Sequence, residues 1–261
     1  MLAFSVSAAL LTVACGGSSP TTPSAPAPIP AADACGALGS TPGQRIDILS
    51  GAECANFDRA PIVKLNMRTA DNVGLGGCTG TIVHPRVVLT AAHCLDEDVG
   101  TVRVWLGSGD EIVAQGFTYY PGYRFNQSGF DVGVIVVGQD LPRTPMPILT
   151  SRDGQVGETA IIAGYGRDDN NVTFALRAGS TTLSAVGALL QTIYAPPASS
   201  VCQGDSGGPI LLRQNNVWAI AGITSATSGS VCNTGENFYQ PVRNQSVLNF
   251  ILQHVPTIGQ R

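Results

Sequence analysis

From about residue 45 onward the chain is a succession of short apolar runs, each broken by turn chemistry before it is long enough for a helix, and this restricts it to strand-built folds. Residues 62–67, 80–83, 86–90 and 102–106 read as strands, and residues 132–137, 160–163, 210–212 and 218–223 continue the pattern. The 31 glycines, with plentiful Val, Ile and Thr, favour tight turns between such strands over long helices. Short strands at regular spacing imply a barrel or a sandwich. Only near the end do Val247, Phe250, Ile251 and His254-Val255 recur at helical spacing, which predicts a short amphipathic helix closing the chain. No internal repeat is visible, and 261 residues suffice for one large β unit or two smaller lobes, each with its own core.

The start of the chain reads as an address. Residues 1–14 are almost entirely apolar or small, as in an export signal, and are too few to cross a bilayer comfortably. The ending Leu11-Thr12-Val13-Ala14-Cys15 resembles a bacterial lipoprotein cleavage box, in which Cys15 is lipidated and attaches the protein to a membrane; a plain secretory signal with an incidental cysteine is the alternative. Either reading places the protein outside the cytoplasm, as an extracellular, periplasmic or cell-surface species. Residues 15–34 are rich in Ser, Thr, Ala and Pro, with Pro23, Pro26, Pro28 and Pro30, and are expected to form an extended linker. The six cysteines after Cys15 show no Cys-x-x-Cys spacing, which argues for three disulfides in an oxidising compartment rather than a zinc site. Spacing alone leaves open which of the fifteen pairings occurs. A net charge of −4 on sparse charged residues excludes a nucleic-acid partner from the expectations.

Chemistry concentrates in three strings. Cys202-Gln203-Gly204-Asp205-Ser206-Gly207-Gly208-Pro209 sets one serine in a turn dense with glycine, where successive N–H groups can converge beside the Ser206 hydroxyl, as stabilising an oxyanion requires. Thr90-Ala91-Ala92-His93-Cys94 puts a histidine at a strand end. Asp131 immediately precedes an apolar strand that would carry its carboxylate inward, where it needs a partner such as an imidazole N–H.

His93, Asp131 and Ser206, in this order and within these strings, resemble the trypsin/chymotrypsin-like serine proteases over about residues 45–261. The resemblance implies an all-β fold of two six-stranded antiparallel barrels with a short C-terminal helix, and an active site in the cleft between them. It implies Ser206 as nucleophile, His93 as general base and then acid, Asp131 as the carboxylate that fixes the imidazole, and the N–H groups of Gly204 and Ser206 as the oxyanion hole. It pairs Cys78 with Cys94 and Cys202 with Cys232, leaving Cys35 for Cys54, so that a propeptide-like segment, 35–47, would stay attached to a protease domain at 48–261. Activation would free the ammonium of Ile48, or of Ile46 after Arg45, to meet Asp205. In the family the residue six before the nucleophile, here Ser200 followed by Val201, forms the base of the specificity pocket. Ser225-Ala226-Thr227 would form one wall and Asn237 part of the other. No carboxylate stands at the base, and Thr227 and Asn237 replace the glycines of open pockets, which resembles the elastase-like arrangement that takes small aliphatic residues. A shift of the 228–236 alignment would reopen a trypsin-like specificity.

The expected protein is therefore an exported, monomeric serine endopeptidase acting on protein or peptide substrates, with no cofactor and no metal. Small esters are expected to react at the same triad. The alternative from another class is a silent, protease-like binding module. Asp96-Glu97-Asp98 reads as a solvated turn, and His84 and His254 as structural residues.

Overall fold

The computed structural model describes residues 29–43, 51–55, 57–96, 98–109, 111–168, 173, 175–229 and 231–261. The apolar start with Cys15, the linker up to residue 28, and the stretch holding Ile46 and Ile48 lie outside the described residues.

The described chain begins with helix α1 (Ala31–Gly36) and strands β1 (Thr41–Pro42) and β2 (Ala52–Ala55). Six strands then close a first barrel: β3 (Ile62–Arg68), β4 (Gly74–His84), β5 (Val87–Thr90), β6 (Thr101–Trp105), β7 (Ile112–Tyr119) and β8 (Gly133–Val137). A second barrel follows with β9 (Thr159–Gly164), β10 (Arg177–Val186), β11 (Leu190–Ile193), β12 (Pro209–Gln214), β13 (Val217–Thr227) and β14 (Glu236–Pro241), and helix α2 (Gln245–His254) comes last. The first barrel runs β3-β4-β5-β8-β7-β6 and returns to β3; the second runs β9-β10-β11-β14-β13-β12 and returns to β9, every pairing antiparallel. Both follow the order first, second, third, sixth, fifth, fourth. The topology is thus duplicated although the sequence shows no repeat, and the two six-stranded barrels expected from the resemblance are present.

Each barrel closes on its own apolar interior. Leu65, Ile82, Leu89, Val104 and Ile135 are buried in the first, and Ile162, Leu183, Ile210, Leu212 and Tyr239 in the second. Burying a Leu or Ile side chain stabilises by about 1.5–3 kcal/mol, so these positions hold the strands far more firmly than their turns do. In α2, the Asn244 side chain accepts hydrogen bonds from the N–H groups of Ser246 (3.0 Å) and Val247 (3.4 Å), capping a helix that buries Val247, Phe250 and Ile251. The Phe250 ring stands edge-on to Tyr120, just after β7, with centroids 6.0 Å apart. The helix that leaves the second barrel therefore lies on the first and helps to fix the cleft between them.

The segment ahead of the barrels belongs to the second one. Residues 31–34, which by composition continue the linker, lie in α1, where an Ala-rich run follows Pro30. β1 pairs with β2 at Thr41↔Ala55 and Pro42↔Cys54, and β2 pairs with β10 at Glu53↔Arg177 and Ala52↔Ala178. Ala34, Cys35 and Leu38 are buried, with α1 lying against β10 and β2. Disulfides join Cys35 to Cys54, Cys78 to Cys94 and Cys202 to Cys232, the pairing implied by the resemblance. Among the described residues no helix is long and apolar enough to cross a membrane.

Candidate active site

β5 ends in an extended Ala91 and a 3-10 turn, Ala92–Cys94, which the Cys78–Cys94 disulfide ties back to β4. The turn presents His93 to Asp131, which precedes β8. His93 Nδ1 lies 2.8 Å from Asp131 Oδ2, and the His93 backbone N–H donates to Asp131 Oδ1 at 2.9 Å. A third donor comes from the other barrel: Ser225 Oγ, on β13, donates to Asp131 Oδ2 at 2.6 Å. The Asp131 N–H donates to Gln240 Oε1 of β14 at 3.3 Å. Burial, which leaves Asp131 only 7% exposed, pushes its carboxyl pKa up. The hydrogen bonds and charge of His93 and the hydrogen bond of Ser225 outweigh that effect and hold the group below the usual carboxylate range. An ionised carboxylate only accepts, so Nδ1 carries a proton towards Asp131, and in the neutral imidazole Nε2 is then the acceptor.

Ser206 sits in a turn gripped on several sides. The N–H groups of Asp205, Gly207 and Gly208 donate to Cys202 O (3.0 Å), Thr224 O (2.9 Å) and Asp205 O (2.9 Å). Those of Gly204 and Ser206 donate to no acceptor among the described residues. The turn needs its glycines: Gly204 and Gly207 have φ of +99° and +80°, and a Cβ on Gly207 would collide with Thr90 Oγ1 and the carbonyl of Thr79. The Ser206 carbonyl accepts from the Thr79 N–H at 2.8 Å and lies 3.7 Å from Cys94 Sγ, next in chain to His93. The serine turn of one barrel and the histidine turn of the other are thereby brought side by side.

Asp205 is buried beneath this turn. Its carboxylate accepts from the N–H groups of Gly166 (2.8 Å) and Cys202 (2.9 Å). Burial nevertheless pushes it up to about 6, with the two N–H groups and the nearby Arg177 charge offsetting only part of the desolvation. Arg177 is itself paired with Asp168 at 3.0 Å, and among the described residues Asp205 makes no ion pair.

Beside the serine turn, Ser200, Val201 and Asn237 are buried. Ser200 Oγ approaches Cys232 O (2.8 Å) and Asn237 Oδ1 (3.2 Å), Asn237 Nδ2 donates to Thr192 Oγ1 (3.2 Å), and Thr192 Oγ1 is 3.2 Å from the Tyr239 hydroxyl. The network is polar, neutral and closed. Thr227 is the register partner of Asn237 across β13 and β14, is exposed, and donates to Gly229 O at 3.1 Å. Ser225 neighbours this wall in sequence, but its hydroxyl is spent on Asp131. A cleft lined by Lys64, Asn66, Tyr165, Arg167, Gln203 and Gly204 opens on the other side of the turn. A second cleft, lined by Leu38, Asp58, Arg59, Pro142 and Met146, contains none of these residues.

His93, Asp131, Ser206, Gly204 and Asp205, which the sequence strings single out, lie at the junction of the two turns. For the cross-barrel contacts of Ser225, Gln240 and Thr79 the local sequence carries no signal beyond a hydroxyl or amide in a strand. His93 Nδ1 or Nε2 and the sulfurs of Cys78 and Cys94 lie within 4.8 Å of one another, but the two sulfurs are consumed in a disulfide and leave a metal one ligand there. Glu97 of the acidic run lies outside the described residues. The His84 ring accepts the Arg86 N–H at 3.3 Å, and the His254 ring packs edge-on to Phe250 with centroids 4.7 Å apart.

The family model described as Trypsin matches residues 48–251. Chymotrypsin-like elastase family member 1 of Bos taurus is 28% identical over 190 residues, which cover 61% of this chain and 71% of that protein. Tryptase of Mus musculus is 26% identical over 231 residues, covering 74% of this chain and 84% of the tryptase. The solved structure of HL collagenase superposes with a TM-score of 0.64 over 75% of this chain and 93% of its own, at 22% identity, a likeness of fold.

Proposed function

Because this chain belongs to the trypsin family of serine endopeptidases, we propose that it hydrolyses peptide bonds through Ser206, His93 and Asp131. His93 Nε2 takes the Ser206 hydroxyl proton as Oγ attacks the substrate carbonyl carbon, and the N–H groups of Gly204 and Ser206 receive the oxyanion. The imidazolium gives its proton to the departing amine, leaving an acyl ester on Ser206. A water that loses its proton to His93 then attacks the ester, and His93 returns that proton to Ser206 Oγ as the ester bond breaks and the acid is released. The observation that carries the reading is the set of three contacts on the Asp131 carboxylate, two from His93 and one from Ser225, which favours the ionised carboxylate and the imidazole orientation that this sequence of proton transfers needs.

For the substrate we infer a small aliphatic residue on the acyl side of the cut bond. Ser200 and Asn237 close the pocket base with neutral hydrogen bonds and offer no counter-charge to a buried Arg or Lys. Activation by the ammonium of Ile48 or Ile46 is consistent with Asp205, whose buried charge otherwise makes no ion pair among the described residues. Export is consistent with the three disulfides. Attachment through a lipidated Cys15 completes the proposal.

Ser206→Ala is expected to lower kcat by about 10⁶-fold and abolish labelling by a fluorophosphonate, with the melting temperature kept. Appreciable turnover by that variant would remove Ser206 from the mechanism. Profiling the processed enzyme on a peptide library should show cleavage after Ala, Val or similar residues; dominant cleavage after Arg or Lys would overturn the pocket assignment.

A further inference from the structure

Thr79 lies on β4 of the first barrel, is fully buried, and makes four hydrogen bonds among the described residues, three of them to the second barrel. Its N–H donates to Ser206 O at 2.8 Å. Its hydroxyl donates to Gly204 O at 2.7 Å and accepts the Tyr165 N–H at 3.0 Å. Its own carbonyl accepts Thr90 Oγ1, from the strand that leads to His93, at 2.9 Å. One residue thus holds the carbonyls of both Gly204 and Ser206, the two residues of the turn whose N–H groups have no acceptor among the described residues. It does so from the barrel that carries His93 and Asp131.

The geometry has a chemical consequence. Gly204 has φ of +99° and no side chain, so nothing intrinsic to it sets the direction of its peptide groups. Among the described residues, the Thr79 hydroxyl is the group that donates to the Gly204 carbonyl, and it is itself anchored by the Tyr165 N–H. A methyl in its place would strip the part-buried Gly204 carbonyl of this donor and leave the buried Tyr165 N–H without its acceptor. We propose that Thr79 is a positioning residue for the oxyanion hole: it sets the Gly204 and Ser206 N–H groups in register with His93 across the barrel interface. The inference rests on the reading of Ser206 as nucleophile and of these two N–H groups as the oxyanion donors. Thr79 touches no reacting atom and acts through the turn.

The test uses the processed full-length enzyme with succinyl-trialanine p-nitroanilide as substrate and a peptide boronic acid ending in alanine boronate as tetrahedral-adduct probe. Thr79→Val should lower kcat by roughly 10- to 100-fold while KM changes less than about 3-fold, because a displaced oxyanion donor acts on the transition state and not on substrate binding. Boronate affinity should weaken in step with kcat. Thr79→Ser, which keeps the hydroxyl, should restore kcat to within about 3-fold of the wild type. If Thr79→Val does not fold, Thr79→Ala against Thr79→Ser gives the same comparison. A folded Val or Ala variant with unchanged kcat, a loss confined to KM, or a Ser variant as slow as the Val variant would each overturn the proposal. Wild-type enzyme that a fluorophosphonate fails to label at Ser206 overturns the catalytic reading and this inference together. Labelled wild type with an unaffected Thr79→Val overturns this inference alone.

Discussion

Asp131 and Asp205 carry the same carboxyl group into the same interface and are driven in opposite directions. Burial pushes both upward, but the three hydrogen bonds that Asp131 receives from His93 and Ser225 reverse the effect, whereas two backbone N–H groups and a paired Arg177 do not reverse it at Asp205. The signs of their stability contributions follow. Asp131, depressed in the folded chain, adds stability that is present above the unfolded carboxyl range and is lost as the pH falls through its folded value. Asp205, raised to about 6 from 3.8, binds a proton more tightly when folded, so its contribution falls as the pH rises between those values. A carboxyl raised from 3.8 to about 6 corresponds to about 3 kcal/mol. In the unprocessed chain, the stability of wild type minus that of Asp205→Asn, from chemical denaturation, should therefore drop by about 3 kcal/mol between about pH 4 and about pH 7. In the processed chain, an ammonium beside Asp205 should flatten that drop. A difference that is flat in the unprocessed chain would mean that the carboxylate already has a cationic partner. At this scale the motif residues were legible because their local strings carry their chemistry. Ser225, Gln240 and Thr79 were not, because each acts on a residue of the other barrel at 94, 109 and 125 positions' separation.

Among the secondary-structure elements, legibility followed the apolar pattern. β5, β8 and β9 are nearly continuous apolar runs and β3 alternates apolar with polar residues, and these patterns mark all four as strands. β7, β10, β11 and β14 carried no such signal. β7 is half exposed along its length, with Gln115 and Gly116 at its centre, and the first six residues of β10, Arg-Ala-Gly-Ser-Thr-Thr, include one apolar side chain. β10 is a strand because β9, β11 and β2 pair with it and cover its small residues, a tertiary cause that no window of sequence contains. α2 is the opposite case, since its period, its Asn244 cap and its buried face agree. Asn244→Ala should cost about 1 kcal/mol of stability, read as a lower denaturation midpoint, with kcat unchanged because the cap lies outside the triad and the serine turn. A neutral substitution would show that packing of Phe250 and Ile251 alone fixes the helix.

For the whole molecule, the segment ahead of the proposed cut behaves as a part of the second barrel and not as a detachable leader. α1 buries Cys35 and the turn after it buries Leu38, β1 pairs with β2, β2 pairs with β10, and the Cys35–Cys54 disulfide crosses the stretch in which Ile46 and Ile48 fall. Before cleavage that bond closes a loop of 19 residues' separation, stabilising the fold by about 3 kcal/mol on chain-entropy grounds. After cleavage it becomes the covalent link between two chains, and the burial of α1 gives the short chain a reason to stay in place even without it. Processing should therefore yield an enzyme whose intact mass under denaturing, non-reducing conditions is that of the uncut chain plus one water, and which separates into two species only on reduction. Cys35→Ser should release the short chain in denaturant without reductant, yet retain it under native conditions through α1 and β1. Recovery of active wild-type enzyme lacking the short chain before reduction would mean that Cys35 is not bonded to Cys54 in the mature protein. It would also show that the second barrel keeps its form without the helix that packs on β10.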